Sequence, residues 1–235
     1  MAETLGRQLG QRVNVRVAQT YAELEEKVLS RQVDVAWAPP SICARAEEQE
    51  QTILKAVRQG RSMYRSVLIC RQGEDLTVDT LQDKRAAWVD PLSTGGHLLA
   101  ISLLRQRGIN TQTLFASQEF HGSYQGALLS LIRGQADMSS IYAYGTEDVD
   151  VRRSLSEHVG ASEVQLQSFA LTDESPSDGL IETGTSDVAR ELVRILLEEP
   201  RNRARALLLD LIEAETLERA AHNDYWAVRQ ALAEL

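Results

Sequence analysis

Strand-like and helix-like runs of apolar residues alternate from one end of the chain to the other, which predicts an α/β architecture with mainly parallel sheets. Val13–Val17 (VNVRV) alternates apolar and polar residues as a half-buried strand does. Thr20, followed three residues on by Glu23, reads as a capping box, and the helix it opens sets Tyr21, Leu24 and Val28 on one face. Gln32–Trp37 is a second strand, halted by Pro39 and Pro40, after which Ser41 caps a helix running to about Gln49. Ile53–Val57, Ser66–Arg71 and Arg85–Val89 read as further strands, with a short helical turn at Thr80–Lys84.

Beyond them the pattern predicts a helix from Gly96 to Arg107 closed by Gly108, and another from Ser123 to Arg133 closed by Gly134. A short strand covers Ala136–Ile141, and Val164–Leu171 alternates again. From Ser186 onward the pattern is helical: Asp187–Glu198 stopped by Pro200, then Arg203–Ile212, then Tyr225–Leu235. The C-terminal part therefore reads as a cover and not as another sheet. There is no internal repeat and no low-complexity run.

With 235 residues, 43% hydrophobic and 25% charged, the chain falls between one large domain and two small ones. A chain of that length buries enough apolar surface to fold without metal or disulfide staples, so stability alone implies no cofactor. No segment reaches the roughly 18 to 20 apolar residues that span a bilayer. The first residues carry no apolar stretch behind a basic region, so they do not read as a secretory signal. The chain is expected to be cytoplasmic if Met1 is its native start, and periplasmic or membrane-anchored if a leader has been removed.

The formal net charge is -9, from 34 acidic against 25 basic residues. The Lys and Arg residues are scattered and form no stripe, which argues against nucleic acid as a partner. An anionic ligand would meet a repulsive bulk field, so local dipoles and hydroxyls would have to hold it. Cys43 and Cys70 sit in apolar settings without metal-ligand spacing, and read as two buried inert thiols; a bridge between them is the alternative.

The segment richest in chemistry is Asp90-Pro91-Leu92-Ser93-Thr94-Gly95-Gly96-His97, set between a strand and a helix. Small hydroxyl and glycine residues there let backbone N–H groups converge on an anion at the positive end of the helix dipole. The plainer alternative is a Ser N-cap followed by a glycine turn. Two other helix starts share the form: Pro39-Pro40-Ser41 and His121-Gly122-Ser123-Tyr124. Were the strand-end loops to face one crevice, all three N-termini would point into it. His97 and His121 have no nucleophile or acidic partner at a recognisable spacing, so they read as hydrogen-bond donors or solvated side chains and not as acid–base groups. Trp37, Trp88 and Trp226 read as core, and Glu47-Glu48 and Glu198-Glu199 as solvated helix faces.

In its order of segments the chain resembles the phosphate, phosphite and phosphonate substrate-binding proteins of ABC transporters. The matching pieces are VRVAQTYAELEEKVLSRQVDVAWAPPS, MYRSVLICR, AAWVDPLSTGGHLLAISLLRQRGI, FHGSYQGALLSLIRGQADMSSIY and NDYWAVRQAL. The likeness spans almost the whole chain, and its strongest part is Tyr64-x-Ser66 followed by the Asp-Pro-x-Ser-Thr-x-Gly loop.

This resemblance implies a type II periplasmic-binding-protein-like α/β fold, two lobes joined by two crossover strands and closing on a ligand. Lobe one would cover residues 1–82, lobe two 83–167, and 168–235 would return to lobe one, mostly as helix. The crossovers would fall near Thr80–Lys84 and Gln165–Ala170. Carried over by position, Ser93, Thr94 and Gly96 would hold the oxyanion from lobe two, and Tyr64 and Ser41 from lobe one. Ser66, Asp90, His97, His121, Ser123, Tyr124 and Tyr142 complete the expected ligand-binding set, with no catalytic residue and no metal. The expected partners are a small anion and an ABC transporter permease.

Three departures from the family pattern stand out. The strand that usually opens lobe one is missing, so that lobe is truncated, completed by another chain or rearranged. The usual Gly-Ser-His loop reads Gly122-Ser123-Tyr124, with His121 as a substitute donor. The position after ADMSS, often acidic where an aminoalkyl group is bound, corresponds to Tyr142 or Tyr144, which argues against an aminoalkylphosphonate. The leading functional expectation is a non-enzymatic binding protein for a small phosphorus oxyanion. The alternatives are a cytoplasmic sensing or regulatory module and, below it, a biosynthetic enzyme on the same fold.

Overall fold

The computed structural model describes residues 2–184 and 186–233. In chain order the first elements are α1 (Ala2–Leu9), α2 (Tyr21–Leu29), β1 (Val35–Ala38), α3 (Pro40–Glu48), β2 (Thr52–Val57) and β3 (Met63–Arg71). Then come β4 (Arg85–Trp88), α4 (Leu99–Gln106), α5 (Thr111–Leu114), β5 (Ser117–Phe120), α6 (Tyr124–Ile132), β6 (Met138–Ala143) and α7 (Asp148–Val159). The chain ends with β7 (Leu166–Pro176), β8 (Gly179–Glu182), α8 (Asp187–Glu198), α9 (Arg203–Leu211), β9 (Thr216–Arg219) and α10 (Trp226–Ala233).

Internal packing divides the chain into two units, Met1–Met63 with Pro176–Arg229, and Tyr64–Ser175 with Gln230–Leu235. The boundaries fall at 63 and 175 and not at 82 and 167, because residues 64–82, with most of β3, and residues 168–175, with most of β7, pack in the second unit.

The first unit is built on a four-stranded sheet of order β1-β8-β2-β9. Each of its pairings is antiparallel, with Trp37 opposite Leu180, Leu54 opposite Leu180, and Leu54 opposite Arg219. The expectation of mainly parallel sheets fails here, as does that of a C-terminal cover without strands, because β8 and β9 are two of the four. β8 is only four residues long and buried on both faces, so it shows no alternation to read. Among the described residues no strand precedes β1, and β8 fills the place beside it. Leu54, Ala56 and Leu180 of this sheet pack on Leu192, Val193 and Leu196 of α8 and on Leu208 and Leu209 of α9. Ser186 caps α8 through Ala189 N, and the helix has the predicted bounds.

Val13–Val17 is not a strand. The alternation is present, but Val15 and Val17 are 50% and 82% exposed, and among the described residues no strand pairs with this segment. The N-cap of α2 forms as expected, with Thr20 Oγ1 accepting from Glu23 N, but the reciprocal half of the box shifts by one residue: Glu23 accepts from Gln19 N instead of Thr20 N. Ser41 is not a cap: it lies inside α3, whose N-cap is Pro39. Glu47 is not on a solvated face either, since it pairs with Arg229 in a largely buried contact. Trp226 is 57% exposed, so of the three tryptophans it is not core.

The second unit holds a five-stranded sheet of order β5-β4-β6-β3-β7. β4 runs parallel to β5 and β6, and β3 runs antiparallel to β6. Trp88 is fully buried, with Ala86, Ile101, Leu104 and Met138 in the same core cluster. Burying a side chain of that size contributes on the order of 2–3 kcal/mol. On the other face Val67, Ile69 and Ile141 pack against Leu128 and Leu131 of α6 and Val151 and Leu155 of α7. Asp137 ties β4 to β6: it accepts from Arg85 Nη2 at 2.7 Å, Arg85 Nε at 3.0 Å and Arg85 N at 2.9 Å, and these bonds hold its carboxyl down at about 2. Cys43 and Cys70 are free, one in each unit, and burial pushes both thiols up. No helix among the described residues is long and apolar enough to cross a membrane.

Candidate functional site

The carboxyl ends of the parallel strands β4, β5 and β6 lie at one edge of the second sheet, where loops of open α/β sheets present ligand groups. β3 runs the other way, so its first residues arrive at the same edge. Its register places Arg65 opposite Ala143 and Ser66 opposite Tyr142. Four chain segments thus meet there: Tyr64–Ser66, Asp90–His97, His121–Tyr124 and Tyr142–Tyr144.

The loop after β4 is shaped by its own side chains. Asp90 Oδ1 accepts from Leu92 N at 2.8 Å, and its carbonyl accepts from Ser93 N at 2.9 Å. That turn occupies the Asp90 carboxylate and delivers Ser93 to the start of a helix. Ser93 Oγ accepts from Gly96 N at 3.2 Å, and a π-helical turn, Thr94–Leu98, leads into α4. A helix leaves its first N–H groups outside its own ladder, and Ser93 takes up one of them. Gly96 could be nothing larger, because a Cβ there would lie 2.4 Å from Val89 Cγ2 and 2.8 Å from Ser93 Oγ. Ser93 and Thr94 are 2% and 1% exposed.

His97 turns inward, away from any acid–base role. Its Nδ1 donates to the Pro91 carbonyl at 2.9 Å, and its ring packs edge-on against Trp88 and Phe120. Burial, partly offset by the Pro91 carbonyl, lowers its pKa, so the imidazole is held neutral. His121 lies on the neighbouring loop, whose backbone donates to the ends of β4 through His121 N to Trp88 O at 2.9 Å and Gly122 N to Val89 O at 2.8 Å. Its buried Nε2 makes no hydrogen bond among the described residues, and Glu119 Oε2 lies 4.0 Å away. Ser123 caps α6, accepting from Gly126 N at 3.1 Å.

Gly95 is the point on which the site converges. Ser66 Oγ donates to its carbonyl at 2.6 Å, and Ser66 N donates to Thr172 Oγ1 at 2.9 Å. On its other side a Cβ would lie 2.7 Å from Tyr124 Oη, 3.0 Å from Tyr64 Cε2 and 3.4 Å from Tyr142 Cβ. Tyr64, Tyr124, Tyr142 and Tyr144 form a continuous edge-to-face cluster with ring centroids 5.4 to 6.4 Å apart. His158 stacks on Tyr124 at 5.1 Å, and Tyr142 Oη donates to Glu157 Oε2 at 2.5 Å.

Of the expected ligand residues, Tyr64, Ser66, Asp90, Ser93, Thr94, Gly96, His97, His121, Ser123, Tyr124 and Tyr142 lie in the second unit. Tyr64 and Ser66 belong with the glycine loop and not, as the resemblance implied, with lobe one. Ser41 lies in the first unit, 1% exposed. Sequence reasoning missed Glu157 and His158, which α7 brings to Tyr142 and Tyr124. The signal was there in Glu147 and Asp150, a reciprocal cap at the helix start, followed by Val151 and Leu155 on one face. It also passed over Gly95, whose lack of a side chain admits the tyrosines.

A family described as "ABC transporter, phosphonate, periplasmic substrate-binding protein" matches residues 1–225 of this chain. Among solved structures, a binding protein component of an ABC phosphonate transporter from Pseudomonas aeruginosa is similar at 17% identity, covering 98% of this chain and 78% of that one, with a TM-score of 0.78. A protein of Prochlorococcus marinus solved in complex with methylphosphonate shares 18% identity over 99% of this chain and 89% of its own, with a TM-score of 0.80. A Xanthomonas citri protein bound to chloride ion shares 14% over 100% and 90%, with a TM-score of 0.78. At these identities the structural likenesses establish the shared fold.

Proposed function

The chain belongs to the phosphonate ABC-transporter periplasmic substrate-binding family, and from that premise we propose that it binds a small phosphorus oxyanion at the Ser93–Gly96 loop without transforming it. The observation that carries this reading is the meeting of Tyr64, the Ser93–Gly96 loop and the Ser123–Tyr124 helix start at the carboxyl ends of β4 and β5. Two helix N-termini and several uncharged hydroxyls supply donors there, which suits capture of an anion by a protein of net charge -9.

Phosphonate, phosphite and phosphate each present three or more oxygens to such donors. Thr94 and the free O–H directions of Ser93 and Ser123 hold those oxygens, since a hydroxyl that accepts from a cap N–H still has its own proton to donate. The phenols of Tyr64, Tyr124 and Tyr142 form the wall toward the substituent on phosphorus. A chain of this role delivers its ligand to an ABC transporter permease and needs no acid–base pair, which agrees with His97 being spent on the Pro91 carbonyl. The test is titration calorimetry with phosphate, phosphite and methylphosphonate. Saturable heat with at least one of them is expected, and no heat with any of the three would sink the proposal.

A further inference from the structure

Tyr142 is the hub of the tyrosine cluster: its ring meets those of Tyr64, Tyr124, Tyr144 and His158 at centroid distances of 5.4 to 6.4 Å. It is only half-buried. Ordering such a side chain costs rotamer entropy, so a contact at its far end decides how well its position is defined. Here α7 holds the far end. Glu147 and Asp150 cap the first turn of that helix, and Val151 and Leu155 fasten it to the sheet. Ser154 and Leu155, both buried, carry Glu157 and His158, three residues on, to the same side. Glu157 Oε2 accepts the phenol proton of Tyr142 at 2.5 Å, and His158 stacks on Tyr124 at 5.1 Å. All of these residues belong to the second unit.

The wall so held stands close against the glycine loop. At Gly95 a single Cβ would already lie 2.7 Å from Tyr124 Oη, 3.0 Å from Tyr64 Cε2 and 3.4 Å from Tyr142 Cβ. With the phosphorus held at that loop, a substituent larger than a methyl finds room only by displacing a ring. Resting on the anion site argued above, we propose that Glu157 is a positioning residue that sets the size of the substituent. By holding Tyr142 it keeps the wall closed, so the site takes oxyanions whose phosphorus carries hydrogen, hydroxyl or methyl and disfavours longer phosphonates. The Glu157 carboxylate acts through the phenol and not on the ligand.

The test is the calorimetric ratio of Kd for ethylphosphonate to Kd for the tightest-bound of phosphate, phosphite and methylphosphonate. Wild type is expected to favour the smaller anion by roughly tenfold or more, since the extra carbon overpacks the wall. Glu157→Ala should cut that preference by roughly two- to tenfold, the worth of one hydrogen bond. Tyr142→Phe loses the same bond from the other side and should cut it equally, and the double variant should lose no more than either. Glu157→Gln keeps a carbonyl acceptor and should retain the wild-type ratio, a rescue that general loosening of the fold would not give. Equal affinity of wild type for ethylphosphonate and the smaller anion, a ratio unmoved by Glu157→Ala, additive losses in the double variant, or Glu157→Gln behaving as Glu157→Ala would each overturn the inference and leave the anion site standing. Binding of none of the four anions by wild type would overturn the anion site as well.

Discussion

Ser66 of β3 donates its hydroxyl proton to the carbonyl of Gly95, in the loop after β4, at 2.6 Å, and does so from a side chain with no exposed surface. The bond fixes the height at which the glycine loop sits over the sheet. Ser66→Ala removes this hydrogen bond from a buried site, a loss of about 0.5–1.5 kcal/mol. Chemical denaturation should show that loss, with an unchanged slope, and a variant as stable as wild type would remove Ser66 from this role.

Gly95→Ala places a methyl 2.7 Å from Tyr124 Oη and 3.0 Å from Tyr64 Cε2. Overpacking of that kind costs roughly 1–3 kcal/mol. The nearer clash is with a hydroxyl alone, so Tyr124→Phe in the same chain should recover part of the loss. Thermal melts of the two single variants and the double variant measure the coupling, and strictly additive effects would show that the phenol does not press on the loop.

The start of the glycine helix was legible in the sequence because capping is local: a Ser three residues before a Gly N–H is chemistry that needs no knowledge of the fold. The same holds for Ser123 and for Thr20. The tyrosine cluster was not legible, because it depends on register. Tyr64 and Tyr142 are far apart in the chain and meet only because β3 pairs antiparallel with β6, Ser66 opposite Tyr142. No local pattern states a register. Val13–Val17 failed for a related reason, since alternation says what a segment prefers and not whether a partner strand exists. β8 escaped notice because four residues buried on both faces carry neither period.

His97 should couple the shape of the loop to pH. Its folded pKa lies below the ordinary value of 6.5, chiefly through burial, so the unfolded chain binds the proton more readily than the folded one. Its contribution to stability is therefore fully present above pH 6.5 and declines as the pH falls through that value toward the folded pKa. His97→Asn keeps a donor for the Pro91 carbonyl and does not titrate, so the melting temperature of the variant should fall less than that of wild type between about pH 7 and 5. Parallel curves for the two proteins would contradict the assignment.

Thr94 carries the central claim, because its hydroxyl lies in the first turn of the glycine helix, where the helix dipole and the loop donors act together. The decisive measurement is calorimetric affinity of wild type and Thr94→Val, side by side, for whichever of phosphate, phosphite and methylphosphonate binds the wild type. Valine keeps the volume and removes the donor. The predicted result is weakening by about 1–3 kcal/mol, roughly 5- to 150-fold in Kd. Equal affinity in the two proteins would mean that the oxyanion is held somewhere other than this loop.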